Sequence, residues 1–207
     1  MPLSRPVKTS LIAGAALAAG LAAGAWVLHP PRGEPQSGLL LPTPRPLAAF
    51  TLVDQDNHAF AADRLRGHWS LLFGGFTHCP DVCPTTLATL KTMQQELGAD
   101  APKLQVLFLS VDPERDTPQA LSQYVRYFSP SFVGLTGTSQ DVAAFAAQLG
   151  LAYEKVPAVG SGSYSVDHSA TLVLLNPRGE VAGYFSPPFK ASLLASDLRS
   201  IMEGSSA

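Results

Sequence analysis

The spacing of apolar positions changes along the chain, and each change marks an element. Phe50 to Phe60 places apolar residues on both sides of Asp54-Gln55-Asp56-Asn57, which predicts strand, turn, strand. Trp69 to Phe73 is a short apolar strand whose far end is weakened by Gly74-Gly75. After Pro84, which suits a first helical turn, Leu87, Leu90, Met93 and Leu97 form one helical face, and Gly98 supplies a stop. Leu104 to Val111 is apolar almost throughout, as expected of a strand buried on both faces. Thr117-Pro118 opens a second helix with Leu121, Val125 and Phe128 inward. A short strand near Phe132 to Leu135 leads to Ser139, the expected N-cap of a third helix with Val142, Phe145 and Leu149 on its inner face. Ala170 to Leu175 and Val181 to Phe185 read as a hairpin across Asn176-Pro177-Arg178-Gly179. A last helix runs near Lys190 to Met202, with Leu194, Leu198 and Ile201 on one side.

Alternating strands and helices of this kind predict an α/β fold, a central sheet with flanking helices. A cysteine pair at a strand-to-helix junction in that layout points to a thioredoxin-like sheet. Two segments precede the domain. Arg5 and Lys8 lie in residues 1–10, before an uncharged stretch from Leu11 to Leu28. That stretch is just long enough to cross a bilayer as a helix, which takes about 17–25 apolar residues. The positive charges keep residues 1–10 in the cytoplasm. Ala23-Gly24-Ala25 resembles a cleavage site, but the apolar run exceeds the roughly 7–15 residues of a signal-peptide core. The expectation is a single uncleaved transmembrane anchor, residues 11–28, with the folded domain on the periplasmic side of a bacterial inner membrane. Residues 29–46, punctuated by Pro30, Pro31, Pro35, Pro42, Pro44 and Pro46, read as a semi-rigid stalk with no binding role, and the domain as residues 47–207.

Composition narrows the partners. The net charge is -2 over 207 residues and no basic stripe appears, which excludes nucleic acid as an expected partner. Cys79 and Cys83 are the two cysteines of the chain, and so close a pair reads as one working site, redox or metal or both. Outside the cytoplasm such thiols do not stay reduced unaided, so a thiol reductant such as a thioredoxin-like protein is implied.

The segment Phe76-Thr77-His78-Cys79-Pro80-Asp81-Val82-Cys83-Pro84 carries the chemistry. Cysteines at i and i+4 lie on one helical face, where they can close to a disulfide after small adjustment or chelate a metal. A helix N-terminus favours negative charge, so both thiol pKa values are expected to fall. His168, just before the strand at Ala170, is the third candidate ligand, on the loop that faces the cysteine turn in a thioredoxin-like sheet. Two sulfurs and an imidazole suit copper, as Cu(I) and through the imidazole as Cu(II). His78 reads as a neighbour of the site rather than a ligand, and His29, His58 and His68 as surface residues. Asp81 is expected to cap the helix, Asp112, Glu114 and Asp116 to form a turn capping the next one, and Asp167 to orient His168.

At these residues the chain resembles the Sco/SenC family, copper proteins that serve cytochrome c oxidase assembly. The likeness extends to Val111-Asp112-Pro113-Glu114-Arg115-Asp116-Thr117, to Gly134-Leu135-Thr136-Gly137 and to Tyr164-Ser165-Val166-Asp167-His168, and covers roughly residue 47 to the end. The resemblance implies that Cys79, Cys83 and His168 bind copper. It also implies a metallochaperone rather than an enzyme, one that delivers copper to, or reduces the thiols of, the binuclear copper site in oxidase subunit II. Subunit II or its assembly factors would be the partner. The loop Gly160-Ser161-Gly162-Ser163 lacks the acidic residues expected from some relatives. The alternative is a thiol–disulfide oxidoreductase acting on an extracytoplasmic partner. If residues 11–28 are an uncleaved anchor, the chain is expected in the membrane fraction of cells, and a membrane fraction empty of it would point to a cleaved leader.

Overall fold

A computed structural model of the chain describes residue 20, residues 35–157 and residues 164–204. The expected anchor apart from residue 20, the first part of the stalk, His29 and the loop at 160–163 lie outside the described residues. Among the described residues no helix is long and apolar enough to cross a membrane.

One eight-stranded mixed sheet runs in the order β1 (Gly38–Arg45), β10 (Val181–Phe185), β9 (Leu172–Leu175), β4 (Trp69–Gly75), β5 (Leu104–Ser110), β6 (Val133–Thr136), β2 (Leu52–Asp54), β3 (Ala59–Phe60). Its centre is the pair β4 (Trp69–Gly75) and β5 (Leu104–Ser110), parallel and in register from Trp69 opposite Leu104 to Gly75 opposite Ser110. β6 (Val133–Thr136) extends the parallel side, while β9 (Leu172–Leu175) and β10 (Val181–Phe185) continue antiparallel from β4. β2 (Leu52–Asp54) and β3 (Ala59–Phe60) complete the far edge. The helices are α1 (Val82–Leu97), α2 (Pro118–Phe128), α3 (Ser139–Leu149) and α4 (Ala191–Gly204).

The period of two along the central strands divides the core into two layers. Leu71, Phe73, Val106 and Phe108 point into the layer under α1, α2 and α4, whereas Leu72, Leu107 and Leu109 point into the layer under α3. Buried on both faces, these strands have to be apolar at nearly every position, which is why Leu104 to Val111 reads as one run. Gly98 closes α1 with a positive φ of 57°, a conformation that a residue without Cβ adopts freely.

Four details depart from the sequence reading. Residues 38–45, assigned above to the stalk, form β1 (Gly38–Arg45), antiparallel to β10. Its prolines, Pro42 and Pro44, fall between Leu40 and Arg45, where the register shifts and no ladder donor is needed. Second, β7 (Tyr153–Pro157) and β8 (Tyr164–His168) form a separate antiparallel ribbon that the apolar pattern does not announce. Third, Thr138 rather than Ser139 caps α3, its hydroxyl accepting from the Asp141 N–H. Fourth, His68 is half-buried, with its Nε2 enclosed and without a partner.

β1 is also held from its N-terminal side. Asp197, buried on α4, accepts from the backbone N–H of Gln36 (2.8 Å), the backbone N–H of Ser37 (2.8 Å) and the Ser37 hydroxyl (2.5 Å). Removing a buried acceptor strands its donors. Asp197→Ala is therefore expected to lower unfolding stability by about 1–3 kcal/mol, read as a urea midpoint shift, and an unchanged midpoint would show that the clasp contributes nothing.

Candidate metal centre

The loop after β4 carries the cysteines and the loop after β5 lies beside it, because parallel neighbours release their chains at the same edge of the sheet. The two loops are tied by Asp116, which is fully buried. Its carboxylate accepts from the Thr77 N–H (2.9 Å), the Thr77 hydroxyl (2.6 Å) and the Ser110 hydroxyl (2.6 Å). Thr77 stands two residues before Cys79, so the start of the cysteine turn is fastened to the end of β5. Asp112, also fully buried, accepts from the Tyr164 hydroxyl (2.8 Å) and from Arg115 Nε. The expectation that these carboxylates cap the next helix is replaced: Thr117 caps α2, accepting from the Ala120 N–H, and the two aspartates brace the site.

Cys83 lies in the first turn of α1 and is fully buried, while Cys79 is half-buried in the turn before it. The Cys83 N–H points at Cys79 Sγ at 3.5 Å. Across the gap, at the end of β8, His168 brings Nε2 to 3.4 Å from Cys83 Sγ. Its other nitrogen, Nδ1, faces the Ser169 carbonyl at 3.2 Å, so that carbonyl, and not the exposed Asp167, orients the ring. Phe73 and Phe76 fence the imidazole edge-on, at 5.8 and 6.0 Å between ring centroids.

One ligand atom from each of Cys79, Cys83 and His168 lies within 4.8 Å of the other two, and among the described residues no further histidine, cysteine or carboxylate joins the group. Ligands at roughly 2.0–2.3 Å from one ion stand at most about 4.6 Å apart, so small side-chain movements close the set around a metal. The donors, two sulfurs and one imidazole, are those that suit copper. A cleft of about 300 Å3, lined in part by Phe76, Pro80, Val166 and Ala170, opens the cluster to solvent. His78 stands outside the group, its Nδ1 3.0 Å from the Thr77 hydroxyl and 3.7 Å from Asp116. Asp81 precedes α1 without a side-chain cap bond, its carboxylate meeting only the Thr85 hydroxyl at 3.5 Å.

The electrostatics of Cys83 run opposite to expectation. Burial pushes its thiol far above the ordinary range, and the helix terminus does not offset this. At neutral pH Cys83 is therefore a thiol until a metal displaces the proton. Burial, reinforced by the bond to Asp112, also raises the Tyr164 phenol, which keeps it a donor to that carboxylate.

The SCO1/SenC family model matches residues 42–203. The chain belongs to that family. It is 35% identical over 207 residues to the mitochondrial SCO2 homologue of Bos taurus, covering 96% of this chain and 77% of that one. Among solved structures it resembles copper-bound ScoI of Bradyrhizobium japonicum (36% identity, TM-score 0.68, 73% of this chain and 96% of that one). It also resembles BsSco, described as a member of the Sco family of cytochrome c oxidase assembly proteins with a disulfide switch (25% identity, TM-score 0.62, 77% of this chain and 95% of that one). This Sco-family fold is the α/β sheet with flanking helices described above.

Gly75 decides whether Cys83 fits. A Cβ on Gly75 would stand 2.6 Å from Cys83 Sγ and 2.9 Å from Phe108 Cε2. Gly75→Ala is expected to cost about 1–3 kcal/mol of stability through overpacking, measured by urea unfolding, and to displace Cys83 so that thiol-dependent metal binding weakens. Parent-like stability and binding would mean that the cleft absorbs the methyl group.

Proposed function

We propose that this Sco-family chain holds one copper ion through Cys79, Cys83 and His168. It then delivers the ion to, or reduces the thiols of, the binuclear copper site of cytochrome c oxidase subunit II. The observation that carries the reading is the convergence of two sulfurs and an imidazole at the mouth of an open cleft. Copper bound there would be cargo, supplied to an acceptor that approaches through the cleft. The chain's own part is to keep two sulfurs and an imidazole aimed at one point and to fence the imidazole with Phe73 and Phe76. The titanic cost of a wholly enclosed ion is avoided because Cys79 and His168 sit at the rim. The anchor at residues 11–28 would keep the domain against the periplasmic face of the inner membrane, near a membrane-bound oxidase.

The half-exposed Cys79 sulfur, with Cys83 behind it, also supports thiol–disulfide exchange. Cys79 is the accessible nucleophile, with the Cys83 N–H aimed at its sulfur. Its thiolate would attack a partner disulfide, forming a mixed disulfide and releasing one partner thiolate. Cys83, losing its proton, would then attack Cys79 Sγ, closing the Cys79–Cys83 disulfide and releasing the second. The partner gains two electrons, and a thioredoxin-like reductant restores the pair.

Titration of the reduced full chain with Cu(I) against a competing chelator tests the reading. One ion per chain is expected, with affinity reduced in Cys79→Ser, Cys83→Ser and His168→Ala by more than the roughly tenfold that loss of a contact supporting a ligand costs. Because the proton on Cys83 competes with the metal, raising the pH relieves the competition, and affinity should climb by roughly tenfold per pH unit for each thiol proton released. Oxidation to the disulfide should abolish binding. Binding indifferent to His168→Ala, with partner-disulfide reduction intact, would favour the oxidoreductase.

A further inference from the structure

His168 does not sit on the main sheet. It ends β8, one strand of the ribbon that shares no ladder with the eight-stranded sheet. At its base, where β7 enters from the body and β8 returns to it, Ala152 and Ser169 tie the two strands to each other, their backbones and the Ser169 hydroxyl bonding at 2.9–3.2 Å. Its other end needs a separate fastening. Tyr164, the first residue of β8, gives its hydroxyl to Asp112 (2.8 Å), and its carbonyl accepts from Arg115 Nη1 (3.0 Å). The guanidinium of Arg115 also bonds Asp112 through Nε and lies 3.9 Å from the centroid of the Tyr164 ring. It stands 5.7 Å from the ring of Phe76, whose other neighbour is the His168 imidazole. Val166 packs in the same place against Phe76 and Val111.

We propose that Arg115 and Tyr164 form a latch that positions His168 on the metal. The latch closes the ribbon onto the Asp112–Asp116 loop, the same loop that holds the cysteine turn through Asp116. Both ligand-bearing arms are thereby referenced to five residues of chain. With the latch closed, the imidazole is held toward the two sulfurs. With it open, the ribbon swings on its base and His168 withdraws, leaving the ion on the two cysteines, where an incoming acceptor can compete for it. Arg115 and Tyr164 are positioning residues, since neither is among the three ligands, and the inference rests on copper binding through His168.

The test is a double-mutant cycle on the reduced full chain, with Cu(I) affinity as the readout and nitrogen hyperfine coupling in the Cu(II) paramagnetic resonance spectrum as the signature of the imidazole. Tyr164→Phe removes the hydroxyl and keeps the ring. Arg115→Lys keeps the charge and removes the planar fork. Each is expected to weaken copper binding by roughly tenfold, as loss of a supporting contact does at metal sites, and to diminish the nitrogen coupling. In the His168→Ala background neither should have any further effect. Parent-like affinity in both variants, or an equal loss in the His168→Ala background, would overturn the latch while leaving the copper reading intact. If His168→Ala alone binds like the parent, the copper reading fails and the latch fails with it. Urea unfolding of each apo variant separates misfolding from positioning, and should one variant fail to fold, the other decides.

Discussion

A carboxylate with no exposure at all, Asp116, holds three donors, two from Thr77 in the cysteine loop and one from Ser110 at the end of β5. A buried charge is stable only when its oxygens are satisfied, and here they are satisfied by Thr77 and Ser110. Because both partners must be present at once, the start of the cysteine turn cannot move independently of the end of β5. Asp112 does the same for the ribbon through Tyr164 and Arg115. Two carboxylates four residues apart thus define the distance across which two sulfurs and an imidazole face each other.

The burial gradient across this cluster has a chemical consequence. Cys83 lies deep, enclosed by Gly75 and Phe108, and keeps its proton until something replaces it. Cys79 and His168 lie at the rim, where an ion or a partner sulfur arrives first. Three protein donors leave an approach for a fourth from outside, which a closed tetrahedral site would not.

Much of this was legible in one dimension. Both central strands, all four helices, the β9–β10 hairpin and the cysteine pair follow from apolar spacing, proline and glycine placement, and the cysteine segment, because each depends on residues near in sequence, whereas His168 became a candidate only through the fold that those elements imply. Spacing along the chain misleads where distant partners decide. Pro42 and Pro44 suggested a stalk, yet a register shift opposite β10 accommodates them. Asp112 and Asp116 suggested capping, yet their partners, Thr77 and Tyr164, lie 39 and 52 residues away along the chain. The ribbon β7–β8 leaves no clear apolar pattern because nearly all its residues are exposed or half-exposed, and its packing on Phe76 and Val111 is tertiary.

The sequence alone determined which atoms could bind a soft metal and which family the chain resembles, since donor identity is a property of residues and the motif is local. Only the tertiary structure decided how those donors behave. The protonation of Cys83 depends on the layer of side chains packed over it, and the reach of His168 depends on a ribbon fastened to a loop that the sequence places about fifty residues earlier. Desolvation and long-range hydrogen bonding arise from what surrounds a group in space, and spacing along the chain does not encode them.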